Sequence, residues 1–193
     1  MKRVLIIAVA AALAAGALAA DFVREGFNGS TFPPARWYVE LDGSRPGSWR
    51  REAGGPWGAY ALGNAFSTRY EEGSSAVLST YFDLPARTVI YYGFYYRAQG
   101  QGNYAINFRI TYLGMSGGYL VSPIPLENTN WKYLSGFAFN PTATFVKAVW
   151  SVSCGPSAGT SYAVLGFDRV TITDEDPYAV APASLGRVKA LFR

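Results

Sequence analysis

Histidine is absent from all 193 residues of the chain. The commonest general base and the commonest metal ligand go with it. Nucleophilic triads of the Ser-His-Asp or Cys-His kind are therefore excluded. Cysteine occurs once, at Cys154, so no intrachain disulfide can form. A secreted domain without such staples has to rely on packing. The setting of Cys154, VWSVSC, is strand-like and apolar, which suits a buried and inert thiol. Charge is scarce and nearly balanced, with 17 basic residues against 13 acidic ones. Arg50-Arg51 is the one basic pair after the first few residues. No basic cluster exists to track a phosphate backbone, so nucleic acid is not an expected partner. HExxH, CxxC and the phosphate-cradling GxxxxGK are missing as well.

Long apolar runs are also scarce. The one such run opens the chain, MKRVLIIAVAAALAAGALAA. Lys2 and Arg3 precede it, and Ala17-Leu18-Ala19 fits the A-x-A cleavage rule. Residues 1–20 thus read as a secretory signal peptide. An uncleaved anchor is the rival reading, but the 17 residues from Val4 to Ala20 are mostly Ala and sit at the short limit for a span. No cysteine stands near the cleavage point to take a lipid. The mature chain is expected to carry no membrane span and to be secreted or held at the cell surface.

What the chain has in plenty is aromatics: 14 Tyr, 12 Phe and 5 Trp, punctuated by 21 Gly and 11 Pro. That is an all-β composition. NYAINFRITYL (103–113) alternates cleanly. Tyr104, Ile106, Phe108, Ile110 and Tyr112 share one face, as in a half-buried strand. RTVIYYGFYYR (87–97) is apolar on both faces, which suggests a central strand covered twice. Gly93 would mark a bulge or a close approach there. TFVKAVWSVSC (144–154) and SYAVLGFDRVTIT (161–173) are the other long strands, and 36–41, 47–52, 65–71, 76–83 and 130–139 are shorter candidates. YRAQGQGNY, YLGMSGGYL and SCGPSAGTSY read as Gly/Ser turns. About nine to eleven strands in two sheets predict an antiparallel jelly-roll β-sandwich over residues 21–174. Residues 175–193 read as an acidic linker and a short amphipathic tail, SLGRVKALFR. Ser184 would cap a helix with Leu185, Val188 and Leu191 or Phe192 on one side. Such a tail is either a frayed terminus or an attachment segment.

Without histidine, the chemistry left to an enzyme is that of paired carboxylates, as in glycoside hydrolases. Glu40 and Asp42 in VELDGS imitate the start of a glucanase strand motif. The second carboxylate such a reaction needs is missing, because Ser44 and Arg45 follow. Calcium is the more plausible inorganic partner, since it takes carboxylate, amide and carbonyl oxygens. Glu25, Asn28 and Asp42 near the start and Asp168 in the last strand would converge if the first and last strands lie together. The same residues also read as ordinary turn and strand-end polar groups. Trp57, flanked by Gly and Pro, and Trp49, beside Arg50 and Arg51, are candidate platforms for a sugar ring. Burial in the core is the alternative for both.

In order along the chain, EGFNGSTFPPARWYVE, Trp49, AVLSTYFDLP, VIYYGFYYRAQ, Trp131 and LGFDRVTI resemble the motifs of MAM-like jelly-roll domains. That group includes the choice-of-anchor J and cleaved-adhesin domains of secreted bacterial proteins. The resemblance covers roughly residues 22–173. It implies a non-catalytic β-sandwich for adhesion or binding, with a glycan or a surface protein as partner. It also implies a structural calcium ion between the first and last strands, with Glu25 and Asp168 at matching acidic positions. Asn28 replaces an expected Glu and Arg169 an expected Asp, so fewer anionic ligands remain for the ion. Three functions are carried forward. The first is a secreted binding or adhesion module, with Trp57, Trp49, Arg50 and Arg51 at the ligand. The second is a subunit of an extracellular coat or fibre, and the third a carbohydrate-active enzyme using Glu40 and Asp42.

Overall fold

The computed structural model describes residues 21–43, 47–68, 73–85, 88–113, 119–140 and 145–175. The expected signal peptide (1–20) and, apart from Glu175, the expected tail lie outside the described residues. The strands are β1 (Asp21–Glu25), β2 (Trp37–Gly43), β3 (Ser48–Gly55), β4 (Gly58–Ser67), β5 (Ser74–Asp83) and β6 (Thr88–Gln101). They continue with β7 (Tyr104–Tyr112), β8 (Tyr119–Pro123), β9 (Glu127–Asn140), β10 (Phe145–Cys154) and β11 (Ser161–Thr173). All pairings are antiparallel. One sheet has the order β3-β4-β11-β6-β9, with β1 also on β11, and the other has β2-β5-β10-β7-β8. The fold is a two-sheet jelly roll.

Alternation decides which side chains enter the core. Ile90, Tyr92, Phe94, Tyr96 and Ala98 of β6 point inward, as do Val146, Ala148, Trp150 and Val152 of β10. Trp150 is the hub. Its ring stacks on Phe167 at 4.8 Å and 9° and touches Trp37, Phe94 and Phe108 at 5.2, 5.7 and 4.9 Å. Ring pairs of this kind add about 0.5–1.5 kcal/mol each beyond their buried area. Strand β4 contributes the opposite: small residues, Ala61, Gly63 and Ala65, face the core. The space they leave is filled by Trp49, whose indole lies 2.6 Å from where a Cβ on Gly63 would stand. Cys154 is buried, its thiol donates to the Ala65 carbonyl at 3.4 Å, and burial raises its pKa.

One feature of the topology positions the site. Strand β11 changes neighbours halfway along. Its first half pairs with β4, down to Phe167 opposite Ala61, and its second half pairs with β1, from Val170 opposite Glu25. At the changeover the β11–β6 register slips between Asp168 and Thr171, and Arg169 takes a left-handed φ of 51°. The chain leaving β1 folds into this gap. The Gly26 and Phe27 N–H groups donate to Glu25 Oε1 at 3.0 and 2.6 Å, which holds Phe27 at φ 50°. The Phe27 ring then plugs the core against Trp37 and Phe167, at 5.2 and 5.3 Å. Its carbonyl accepts from Arg51 Nε at 2.9 Å. A cis Phe32–Pro33 bond follows on the way to β2.

Candidate functional site

Outward-facing residues of the six-stranded sheet form an aromatic strip that follows β6. In register order the β6 positions are Tyr91, Gly93, Tyr95, Arg97 and Gln99, a run of about 27 Å at ordinary strand rise. Beside it, β9 places Phe137, Ser135, Tyr133 and Trp131. On the far side stand Tyr60 of β4 and Trp57 of the β3–β4 turn. The rings touch in sequence. Trp57 meets Tyr95 at 4.2 Å, Tyr95 meets Tyr133 at 4.9 Å, and Trp131 meets Tyr60 edge-on at 5.1 Å. Tyr133 remains 51% exposed and Phe137 68% exposed. Gly93 is required for this layout, because the Tyr133 hydroxyl sits where a Cβ would be.

Two guanidiniums are laid on these rings. Arg97 lies 5.7 Å from the Trp131 centroid and 5.9 Å from that of Tyr60, and it donates to the Tyr60 hydroxyl at 3.2 Å. Arg169 lies 4.8 Å over Trp57. Grooves flank the strip at its ends. One of about 390 Å³ includes Gln99, Glu127, Asn128 and Tyr162, and one of about 240 Å³ includes Tyr91, Gly93, Tyr133 and Thr173.

Beneath Arg169 lies the changeover in β11. Asp168 is fully buried. Its Oδ1 accepts from the Arg169 N–H at 2.7 Å, and its Oδ2 has no partner. Burial pushes its pKa up to about 6, opposed by the bond and charge of Arg169 and assisted by the nearby Glu25 charge. Asn28 reaches the other way. Its Oδ1 accepts from Ala59 N at 2.9 Å and its Nδ2 donates to Trp57 O at 3.4 Å, so it straps the β1–β2 connection to the β3–β4 turn.

The residues expected to hold calcium divide. Glu25 and Asp168 come together. Asn28 is close by, but its oxygen is turned to Ala59 and its amine lies on the side of Gly26. Asp42 is a correction: β2 belongs to the other sheet, and Asp42 stands five residues past Trp37, about 17 Å along the strand. Among the described residues no three Asp, Glu, His or Cys side chains group as a metal set. Of the four expected ligands, Glu25 and Asp168 are the two carboxylates that the changeover in β11 brings near each other.

The expected ligand residues divide as well. Trp57 stands in the strip, with Tyr95 against it and Arg169 over its ring. Trp49 is a correction. Its place in β3 turns it inward, 7% exposed, with its ring edge-on to Phe167 at 5.5 Å. Arg50 faces outward but is ion-paired to Glu52 at 2.9 Å, and Arg51 is engaged by the Phe27 carbonyl. Sequence reasoning missed Tyr95, Arg97, Trp131 and Tyr133. Their signal was the tyrosines and arginine on the second face of 87–97, matched by Trp131 and Tyr133 two residues apart.

The outer face of the five-stranded sheet differs. Glu40 Oε1 binds Lys147 Nζ at 2.6 Å, and Lys147 lies 5.2 Å over Tyr81. Burial pulls the Lys147 pKa down, but its bonds to Glu40 and Tyr81 outweigh this and raise it. Glu40 is thus neutralised by a lysine rather than faced by a second acid.

Solved structures of similar shape are numerous. The enzymatically active domain of the bacteriophage CBA120 tailspike protein 4 aligns with a TM-score of 0.57 at 13% identity, covering 79% of this chain but 21% of that one. TmCBM61, solved with beta-1,4-galactotriose, gives 0.54 at 16% identity over 79% of this chain and 97% of that one. The K3 cleaved adhesin domain of Lys-gingipain from Porphyromonas gingivalis gives 0.51 at 14% identity over 80% and 99%. At these identities the likeness is one of fold. The chain matches no protein-family model and no curated protein.

Proposed function

We propose that this chain is a non-catalytic glycan-binding module of the MAM-like jelly-roll kind, acting outside the cell. The aromatic strip along β6 is the observation that carries this reading. Tyr95, Tyr133 and Trp131 offer ring faces and edges, while Arg97, Gln99 and Ser135 offer hydrogen-bonding groups between them. That mixture suits a sugar chain, whose rings are apolar on their faces and hydroxylated at their rims. Two of the similar folds are consistent with it: one was solved with a galactotriose and another is an adhesin domain. Among the described residues no helix is long and apolar enough to cross a membrane.

Affinity electrophoresis in a panel of plant and microbial polysaccharides tests the reading. At least one polysaccharide should retard the protein, and Tyr133→Ala should abolish the retardation while Glu40→Gln leaves it unchanged. Retardation lost in Glu40→Gln and kept in Tyr133→Ala would move the site to the other sheet.

A structural calcium ion between Glu25 and Asp168 is a second proposal, supported by the unpartnered buried Oδ2 of Asp168. Calcium in the millimolar range should raise the melting temperature over that in chelator, by preferential binding to the folded state. Asp168→Asn should remove that rise.

A further inference from the structure

We infer that the strip selects acidic glycans, those carrying carboxylate or sulfate groups, over neutral ones. The inference rests on the glycan reading and adds the charge of the ligand. Arg97 and Arg169 both lie on the strip, and among the described residues neither forms an ion pair. Arg97 has one hydrogen bond, to the Tyr60 hydroxyl, out of five N–H donors. Its plane is held by Trp131 and Tyr60, so the fork is oriented before any ligand arrives. Arg169 is held over Trp57 by a bulge that fixes its backbone in the left-handed region.

Among the described residues no acid near the strip is ion-paired to either arginine. Glu25 Oε1 is spent on two backbone N–H groups, and Glu127 pairs with Lys132 at 3.6 Å. Asp168 feels the charge of Arg169, yet its carboxylate is buried below and makes no ion pair with it. Oriented, partly desolvated guanidiniums bind carboxylate and sulfate oxygens bidentately and more strongly than they bind hydroxyls. Stacking on indole keeps their N–H edges free for this. Trp57 and Trp131, which carry the two guanidiniums, are 6.3 Å apart between ring centroids. The two rings thus stand side by side at the middle of the strip, and a sugar chain following β6 would pass both guanidiniums. A nucleic acid is disfavoured, because two arginines without a wider basic surface cannot offset a run of phosphates.

Isothermal titration calorimetry with the folded protein decides the matter, using oligogalacturonate, neutral beta-1,4-galacto-oligosaccharide and oligo(dT) as probes. Oligogalacturonate should bind at least tenfold tighter than the neutral chain and weaken as salt is raised. Arg97→Gln and Arg169→Gln should each lower the acidic affinity by a clearly larger factor than the neutral affinity. Arg97→Lys should recover only part, since it keeps the charge and loses the fork. Equal binding of both sugars, abolished by Tyr133→Ala, would overturn the charge preference and leave the glycan site standing. Binding of neither sugar would overturn both. Oligo(dT) bound as tightly as oligogalacturonate would replace the sugar with a general polyanion.

Discussion

Asp168 and Trp49 show how far single residues depend on what surrounds them. The buried Asp168 has its pKa raised to about 6, so the folded chain binds this proton more tightly than the unfolded chain does. Stability from this group is then greatest below the unfolded value near pH 4 and is lost as pH rises through 6. In chelator, the melting temperature should fall across that window, by the equivalent of about 2–3 kcal/mol. Asp168→Asn should flatten the slope, and calcium should abolish it if the ion holds the carboxylate ionised. A flat profile in wild type would mean that Asp168 finds a charge partner in solution. Trp49→Ala should cost about 3–5 kcal/mol in a denaturant titration, as large core truncations do. Tyr133→Ala, on the half-exposed outer face, should cost under about 1 kcal/mol and act on binding instead. The two substitutions thereby separate an aromatic that builds the fold from one that serves it.

At the scale of elements, the strands easiest to read are those whose faces differ in polarity. β7 and β10 stand within a residue of the sequence expectation, because apolar residues alternate along them. β1 and β8 escaped it. β1 is five residues next to the expected cleavage point, and β8 begins inside YLGMSGGYL, whose glycines read as a turn in the sequence. β4 is legible only at its end, since its core face is built of Ala and Gly and carries no hydrophobic signal until Trp49 is seen against it. The sequence reads β6 as covered on both faces. Its outer face is instead the open aromatic strip, a distinction that periodicity cannot make when both faces carry rings. The close approach at Gly93 was legible, while the bulge lies across the ladder in β11. This makes Gly93→Val informative. The added side chain would displace the Tyr133 hydroxyl, the end of a rotatable and half-exposed side chain. The melting temperature should stay within a few degrees, while affinity for the retarding polysaccharide falls about tenfold or more. A cooperative loss of folding would instead show that the strip is part of the core.

For the molecule as a whole, the last strand is the organising one. β11 holds β6 on one side and both β4 and β1 on the other, so the two ends of the domain close on each other in the middle of a sheet. Among the described residues, all eleven strands of the sandwich lie between Asp21 and Thr173. The expected linker and tail lie beyond these strands, and the sequence offers the tail SLGRVKALFR (184–193) as a frayed end or an attachment segment. That separation distinguishes the binding module from the fibre subunit. Cutting the chain after Glu175 should leave the melting temperature within about 2 °C, because no strand pairing among the described residues is lost. Glycan affinity should be unchanged, since β6, β9 and the β3–β4 turn are all retained. If the chain is instead a coat subunit joined through its tail, static light scattering should show an assembly for the intact protein and a monomer for the shortened one. A monomer in both, with polysaccharide binding intact, removes the coat-subunit reading and leaves the tail no part in assembly.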